Sequence, residues 1–347
     1  MLVDSLPEQR AVTAPAPPTH RAIRSLGLLG SVGILVLVAL ASIAIGAKEL
    51  PLEQVWHGLF HDTGTYGDVV VDERLSRTVL GLLAGAALGL SGAVLQALTR
   101  NPLADPGLLG INAGASAAVV TAITFFGVTT LRGYVWFAFA GAAVVGALVW
   151  FLGGSRGATP VRLALAGTAI SAALYGCLQA VMITDGAALN KLRFWTVGSL
   201  ASASDATIVQ VLPFFAAGTL LALGLARPLN AVAMGDDTAR ALGANLGRTR
   251  ALAMLAATVL CGAATAACGP IAFVGLMVPH VVRSFTGPDL RWILPYATVL
   301  SPVLLLGADV VGRVVARPSE LQVGIVTAVI GGPVFILLVR RRRTAQL

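Results

Sequence analysis

Ten apolar stretches of helix length punctuate this 347-residue chain, near residues 27–47, 78–98, 107–127, 133–152, 163–183, 207–226, 251–268, 270–286, 292–312 and 322–339. Charged residues gather in the short segments between them. About 20 apolar residues in a helix rising ~1.5 Å per residue cross a ~30 Å hydrocarbon core. The pattern therefore predicts an all-α fold, a polytopic transmembrane helical bundle with about ten spans over residues 27–340. The eighth stretch starts after Gly269-Pro270 and contains Pro279-His280, which predicts a short or broken helix buried among its neighbours. Residues 1–26 are proline-containing and polar and read as a flexible cytoplasmic tail, and residues 341–347 as a basic one. The run from Gly27 to Ala47 exceeds the apolar core of a cleaved signal, so it reads as an uncleaved first span.

The second stretch carries the most information. Between Thr78 and Leu98 no residue is charged, and Gly81, Gly85, Gly89 and Gly92 fall three or four apart. That spacing strips side chains from one helix face and lets a neighbouring backbone approach, where lipid offers no hydrophobic drive for association. Arg74 and Arg77, three apart just ahead of this span, are predicted to point together into the external water. After it, NPLADPG places Asn101 and Asp105 each directly before a proline, a pattern that ends one helix and caps the next. Farther along, DDTARAL reads as a short helix outside the membrane, with Asp236 and Asp237 at its N-terminus and Gly243 as its stop.

Composition narrows the class. Hydrophobic residues make up 56% and charged residues 12%, about half the ~25% charge of a soluble domain. The net charge of +8 and pI near 10.2 do not indicate nucleic acid, because the basic residues, 22 arginines and two lysines, lie mainly in the short polar segments. They encode orientation. Placing both termini in the cytoplasm puts sixteen of the 24 basic residues on that side, in accord with the positive-inside rule. Cys177, Cys261 and Cys268 sit in apolar runs without metal-ligand spacing and read as packing residues; no metal or cofactor is expected. No GxxxxGKS or GxxxxGKT phosphate loop occurs, and neither Lys48 nor Lys191 follows a glycine-rich loop. The chain is therefore expected to be no enzyme and to rely on a separate subunit for any nucleotide hydrolysis.

At RLSRTVLGLLAGAALGLSGAVLQALTRNPLADPGLLGINAGA (Arg74 to Ala115) the sequence closely resembles permease subunits of ATP-driven importers for ferric siderophores, haem and cobalamin, the FecCD-type permeases. The likeness resumes at RFWTVGSL, GDDTARALGANLGRTR, GPIAFVGLMVPHVVR, LLLGADVVGR and VGIVTAVIGGPVFILL, and leaves out only the N-terminal tail and a loop around His57 to Val71. The resemblance implies a bacterial inner-membrane subunit that pairs with a second permease, identical or related, and works by alternating access. It implies cytoplasmic ATP-binding subunits, an extracytoplasmic substrate-binding protein, and ferric siderophore as cargo, with haem or cobalamin as alternatives. Arginines at the positions of Arg74, Arg77 and Arg313 meet glutamates of the binding protein in similar permeases. The segment holding Gly235, Ala239, Arg240, Leu242 and Gly243 fits a cleft on the ATPase subunit.

Two readings from other classes compete. Gly89-Leu90-Ser91-Gly92 matches the GxSG of rhomboid-like intramembrane proteases, with His280 as a base; helix packing explains the same residues. Asp309, the one carboxylate inside a predicted span, suggests an ion-coupled secondary transporter. Arg313, four residues on, supports instead a local ion pair that positions an arginine.

Overall fold

The computed structural model describes residues 19–61, 64–128, 130–154, 160–184 and 195–344. Among these are thirteen α-helices and no strand: α1 (Thr19–Ala44), α2 (Leu52–Phe60), α3 (Tyr66–Thr99), α4 (Ile111–Phe126), α5 (Leu131–Gly154), α6 (Pro160–Thr184), α7 (Asp205–Gly224), α8 (Ala226–Ala233), α9 (Asp236–Ala241), α10 (Leu246–Cys268), α11 (Val274–Thr286), α12 (Leu290–Val315) and α13 (Val323–Thr344). Each of the ten apolar stretches lies on a helix. Seven helices are long and apolar enough to cross a membrane, and α4 and the apolar part of α13 are shorter.

Three boundaries differ from those the sequence predicts. Residues 19–26 of the expected tail are the first turns of α1, and α13 runs on to Thr344 into the expected C-terminal tail. The expected loop around His57 to Val71 holds α2 and the start of α3. There Thr65 and Asp68 form a reciprocal capping box, Asp68 Oδ2 accepting from the Thr65 amide at 3.0 Å, so two amides at the helix start are satisfied locally. Charged residues hide this helix from a hydropathy reading. Residues 1–18 and 155–159, Lys191 and Arg193 lie outside the described residues.

Helices α3 and α10 form the centre: 78% of the apolar window of each is buried, against 11% for α1 and 17% for α6. At 34 residues α3 is about 51 Å long, well beyond one hydrocarbon thickness. Its glycine face meets two neighbours. A Cβ at Gly85 would sit 2.6 Å from the Pro302 Cα on α12, one at Gly89 would lie 2.8 Å from the Ala297 carbonyl oxygen, and one at Gly92 would overlap the Gly275 carbonyl on α11. Gly81 faces Leu306 of α12. Gln96 Nε2 donates to the Leu276 carbonyl at 3.0 Å across the α3–α11 contact.

The predicted irregular eighth segment is real. Gly269 (φ +73°) ends α10, Pro270 follows, and Phe273 (φ +69°) opens the thirteen-residue α11, buried without a break from Val274 to His280. NPLADPG forms the expected turn: Asn101 Oδ1 accepts from the Leu103 amide at 2.9 Å and Asp105 Oδ1 from the Gly107 amide at 2.7 Å, leading into a 3-10 turn at Pro106–Leu109.

Gly85→Leu is expected to force α3 from α12 and to destabilise the bundle by roughly 1–3 kcal/mol or more. Gly30→Ala, where a Cβ meets nothing within 4 Å, serves as the control. Thermal unfolding of the two variants in the same detergent separates them; equal midpoints would show that the glycine face does not set the helix spacing.

Candidate functional site

At the end of the bundle where α1 stops, α3, α12 and the segment 316–322 bring five charges together. Arg77 on α3 grips Asp309 on α12 as a fork, with Nε 3.0 Å from Oδ2 and Nη2 2.7 Å from Oδ1. Its remaining nitrogen, Nη1, donates to Glu320 Oε2 at 2.6 Å. Arg313, one turn after Asp309, completes the acid's coordination at 3.1 Å and donates to the Ser42 carbonyl and hydroxyl, each at 2.9 Å. Asp309 is wholly buried and Arg313 is 1% exposed.

Arg74 is held differently. Its guanidinium donates to the carbonyls of Ile43 and Ala44 at 3.1 and 3.0 Å, orphan acceptors at the end of α1, and to the carbonyl of Lys48 just beyond it at 2.5 Å. Gly46 lacks the side chain that would collide with that guanidinium. Thr78 ties the two systems together, its hydroxyl within 2.9 Å of Ser42 Oγ and donating to the Arg74 carbonyl at 2.7 Å.

These contacts correct the expected orientation. Arg74 and Arg77 do not stand in external water; they are 5% and 9% exposed. The cause is the supply of acceptors: a guanidinium has five donors in a planar fork, and α1, Asp309 and Glu320 present matching oxygens within reach. The cluster holds three cations and two anions, so it carries one net positive charge. It floors a cavity of about 290 Å³ lined also by Lys48, Tyr66 and Glu73. Asp309 is the ion-pair residue that the i,i+4 spacing to Arg313 indicates, while Ser42, Thr78 and Glu320 were not legible because their roles arise from tertiary contact.

At the opposite end, α9 is the predicted short helix, entered at Gly235 (φ +113°) and left at Gly243 (φ +77°). Asp236 at its start is clamped from two sides. Arg250 on α10 donates to it at 2.8 Å, and Arg100, the left-handed residue that ends α3, pairs with it and also donates to the Val232 carbonyl at 2.9 Å. Desolvation pushes the Asp236 carboxyl up, but the hydrogen bonds and charges of Arg250 and Arg100 outweigh it and hold it below the usual carboxylate range. Ala239 is fully buried against Val232 and Leu246. That corrects the expectation that Ala239 meets a partner: it is the foot on which α9 stands, while Arg240 and the 63%-exposed Leu242 remain on the surface. Nothing in local sequence pairs Asp236 with Arg100, 136 residues away.

Ser91 donates to the Leu88 carbonyl of its own helix at 2.9 Å and is fully buried, as a packing residue would be. Among the described residues no cluster of three or more His, Cys, Asp or Glu is placed to hold a metal.

A family pattern described as the FecCD transport family matches residues 34–341. The chain belongs to the FecCD transport family. Over 324 residues, covering 92% of this chain and 96% of the relative, it is 47% identical to the ferric enterobactin transport system permease protein FepD of Escherichia coli. It is 39% identical to the iron(3+)-hydroxamate import system permease protein FhuB of Bacillus subtilis, over 91% of this chain and 83% of that one. The fold matches a solved transporter assigned to the metal-chelate ABC type and captured inward-facing, with TM-score 0.81, 28% identity, and coverage of 91% and 99%. This FecCD chain is thus a multi-pass ABC importer permease, and its family works with ATPase and binding-protein partners. The protease and ion-coupled readings of Ser91, His280 and Asp309 give way to it.

Within this FecCD chain, Asp309→Asn is expected to leave Arg313 a buried charge without a carboxylate and Arg77 with Glu320 alone, and to cost roughly 3–5 kcal/mol. Glu320→Gln, at a side chain one-third exposed, is expected to cost about 1 kcal/mol or less. Thermal unfolding in lipid nanodiscs checks this; equal losses would mean that Asp309 is not the centre of the cluster.

Proposed function

We propose that this chain is the inner-membrane translocation subunit for a ferric siderophore, with both termini cytoplasmic, driven by a separate ATPase and supplied by an extracytoplasmic binding protein. The carrying observation is that a single helix, α3, bears the buried arginine cluster at one end and the clamp on α9 at the other. Arg77 and Arg100 lie 23 residues apart, about 35 Å along a helix. A helix transmits displacement along its axis with little loss, so both ends answer to the same rod. The siderophore class rests on the likeness to the enterobactin and hydroxamate permeases.

In this reading the net positive cavity over Arg74, Arg77 and Arg313 receives an acidic side chain of the binding protein. An incoming carboxylate takes the place of the exposed Glu320 on Arg77 or adds to Arg74, and rim charges such as Lys48 steer the encounter. At the other end Gly235, Arg240, Leu242 and Gly243 present the contact to the ATPase. A second permease subunit covers α6, whose exposed face carries Gln179, a polar group that lipid would penalise. Light scattering of the purified complex should count two permease copies; one copy would remove this assignment.

Arg74→Gln is expected to weaken binding-protein association about tenfold at low salt, with the difference shrinking at high salt. Surface plasmon resonance across a salt series tests it, and unchanged affinity at low salt defeats the docking assignment. Leu242→Asp is expected to leave the permease folded but to uncouple ATP hydrolysis from uptake of labelled ferric siderophore in proteoliposomes reconstituted with all partners. Normal uptake would exclude the α9 contact, and uptake without the ATPase would overturn the reading as a whole.

A further inference from the structure

Where α7 and α8 meet the start of α10, on the flank away from the arginine cluster, the surface opens into a cavity of about 630 Å³. Its upper walls are apolar, with Leu220 and Leu221 from α7 and Leu252 from α10, and its lower rim carries Arg227 and Arg248. The segment from Leu242 to Asn245 closes the bottom.

Leu220, which lines the cavity, also belongs to the exposed side of α7. Along α7 the exposed positions are Val209, Leu212, Leu220 and Leu223, and along α10 they are Ala251 and Leu255. Each stripe ends in an arginine. Arg227 falls four residues after Leu223, past Leu225, whose φ of −84° and ψ of −1° keep the chain near-helical; Arg248 falls seven residues before Leu255 on the helical repeat. Both arginines are exposed. The acids around them are engaged elsewhere: Asp236 by Arg100 and Arg250, Asp237 by Arg240, and Asp289 by Arg291, whose hydrogen bonds together with Asn230 hold that carboxyl at about 2. Among the described residues Arg227 and Arg248 have no acidic partner.

Two uncompensated guanidinium groups below an apolar cavity that is continuous with lipid-facing stripes match an amphiphile with a phosphate head and a hydrocarbon tail. A free phosphate has no use for the apolar walls. We propose that this cavity binds an anionic phospholipid, with the phosphate between Arg227 and Arg248 and an acyl chain along Leu220 and Leu252. The proposal depends on the bundle being embedded in a bilayer and not on the identity of the cargo. Because Leu242 and Gly243 form part of the wall, the bound headgroup braces the segment that follows α9.

The test is native mass spectrometry of the whole transporter released from nanodiscs containing equal phosphatidylglycerol and phosphatidylcholine. The wild type should retain phosphatidylglycerol in preference to phosphatidylcholine. Arg227→Gln with Arg248→Gln should lower that retention roughly thirtyfold, and either single change about fivefold. Lysine at both positions should restore most of it, and Arg291→Gln, a charge loss at the same end, should leave it unchanged. The single variants decide the matter if the double variant does not fold. Equal retention of the two lipids by the wild type, undiminished retention in the glutamine variants, or an equal fall in Arg291→Gln would each overturn the site.

Discussion

One carboxylate with no exposure to water, Asp309, sets the terms for a whole end of this protein. An unpaired ion there would cost far more than any single packing contact returns, so its partners are fixed as a group. Arg77 brings α3 to it, Arg313 adds α12 and, through Ser42, α1, and Glu320 draws in the segment before α13. Four pieces of chain separated by up to 278 positions, Ser42 to Glu320, are thereby held in one register. Apolar packing alone would let the same helices slide, because lipid and leucine are nearly equivalent surroundings for a leucine.

The second constraint is closeness. Helices in hydrocarbon associate through van der Waals contact and polar links, and both improve as backbones approach. Along α3 the glycines allow this against α12 and α11, and Gln96 then reaches the Leu276 carbonyl. Of the two most buried helices, α3 is the one joined by charge at each end, to Asp309 through Arg77 and to Asp236 through Arg100. Its neighbours on the periphery, α1 and α6, are mostly exposed and present their sides to whatever surrounds the bundle.

Much of this could be read from the chain alone, and the exceptions share a cause. The ten apolar stretches, the broken eighth helix, the turn at Asn101–Gly107 and the short helix from Asp236 follow from local chemistry: hydropathy, proline, glycine at positive φ, and capping side chains. Asp309 with Arg313 was legible because they sit one helical turn apart. The inward folding of Arg74 and Arg77 was not, since it depends on carbonyls at the end of α1 and on acids more than 200 residues away. Ala239 was misread for the same reason: its seat against Val232 and Leu246 is a tertiary fact. Helix α2 was missed because its charged neighbours lower the hydropathy that marks a span, although it is a helix all the same.

Beneath the arginine cluster, three helices are joined through main-chain atoms to the irregular segments beside them: the Ser199 amide donates to the Cys268 carbonyl at 2.7 Å, the Gly324 amide to the Gly198 carbonyl at 3.1 Å, and the Leu321 amide to the Gly312 carbonyl at 3.1 Å. Three such links form a mechanically soft seam between stiff cylinders. A shift of α13 against α10 exchanges these contacts and leaves every helical ladder whole, while α10 stays tied to α9 through Arg250 and Asp236 and to α4 through Thr265 and Asn112, so rocking between the two is resisted by a few exchangeable links and not by the rods themselves.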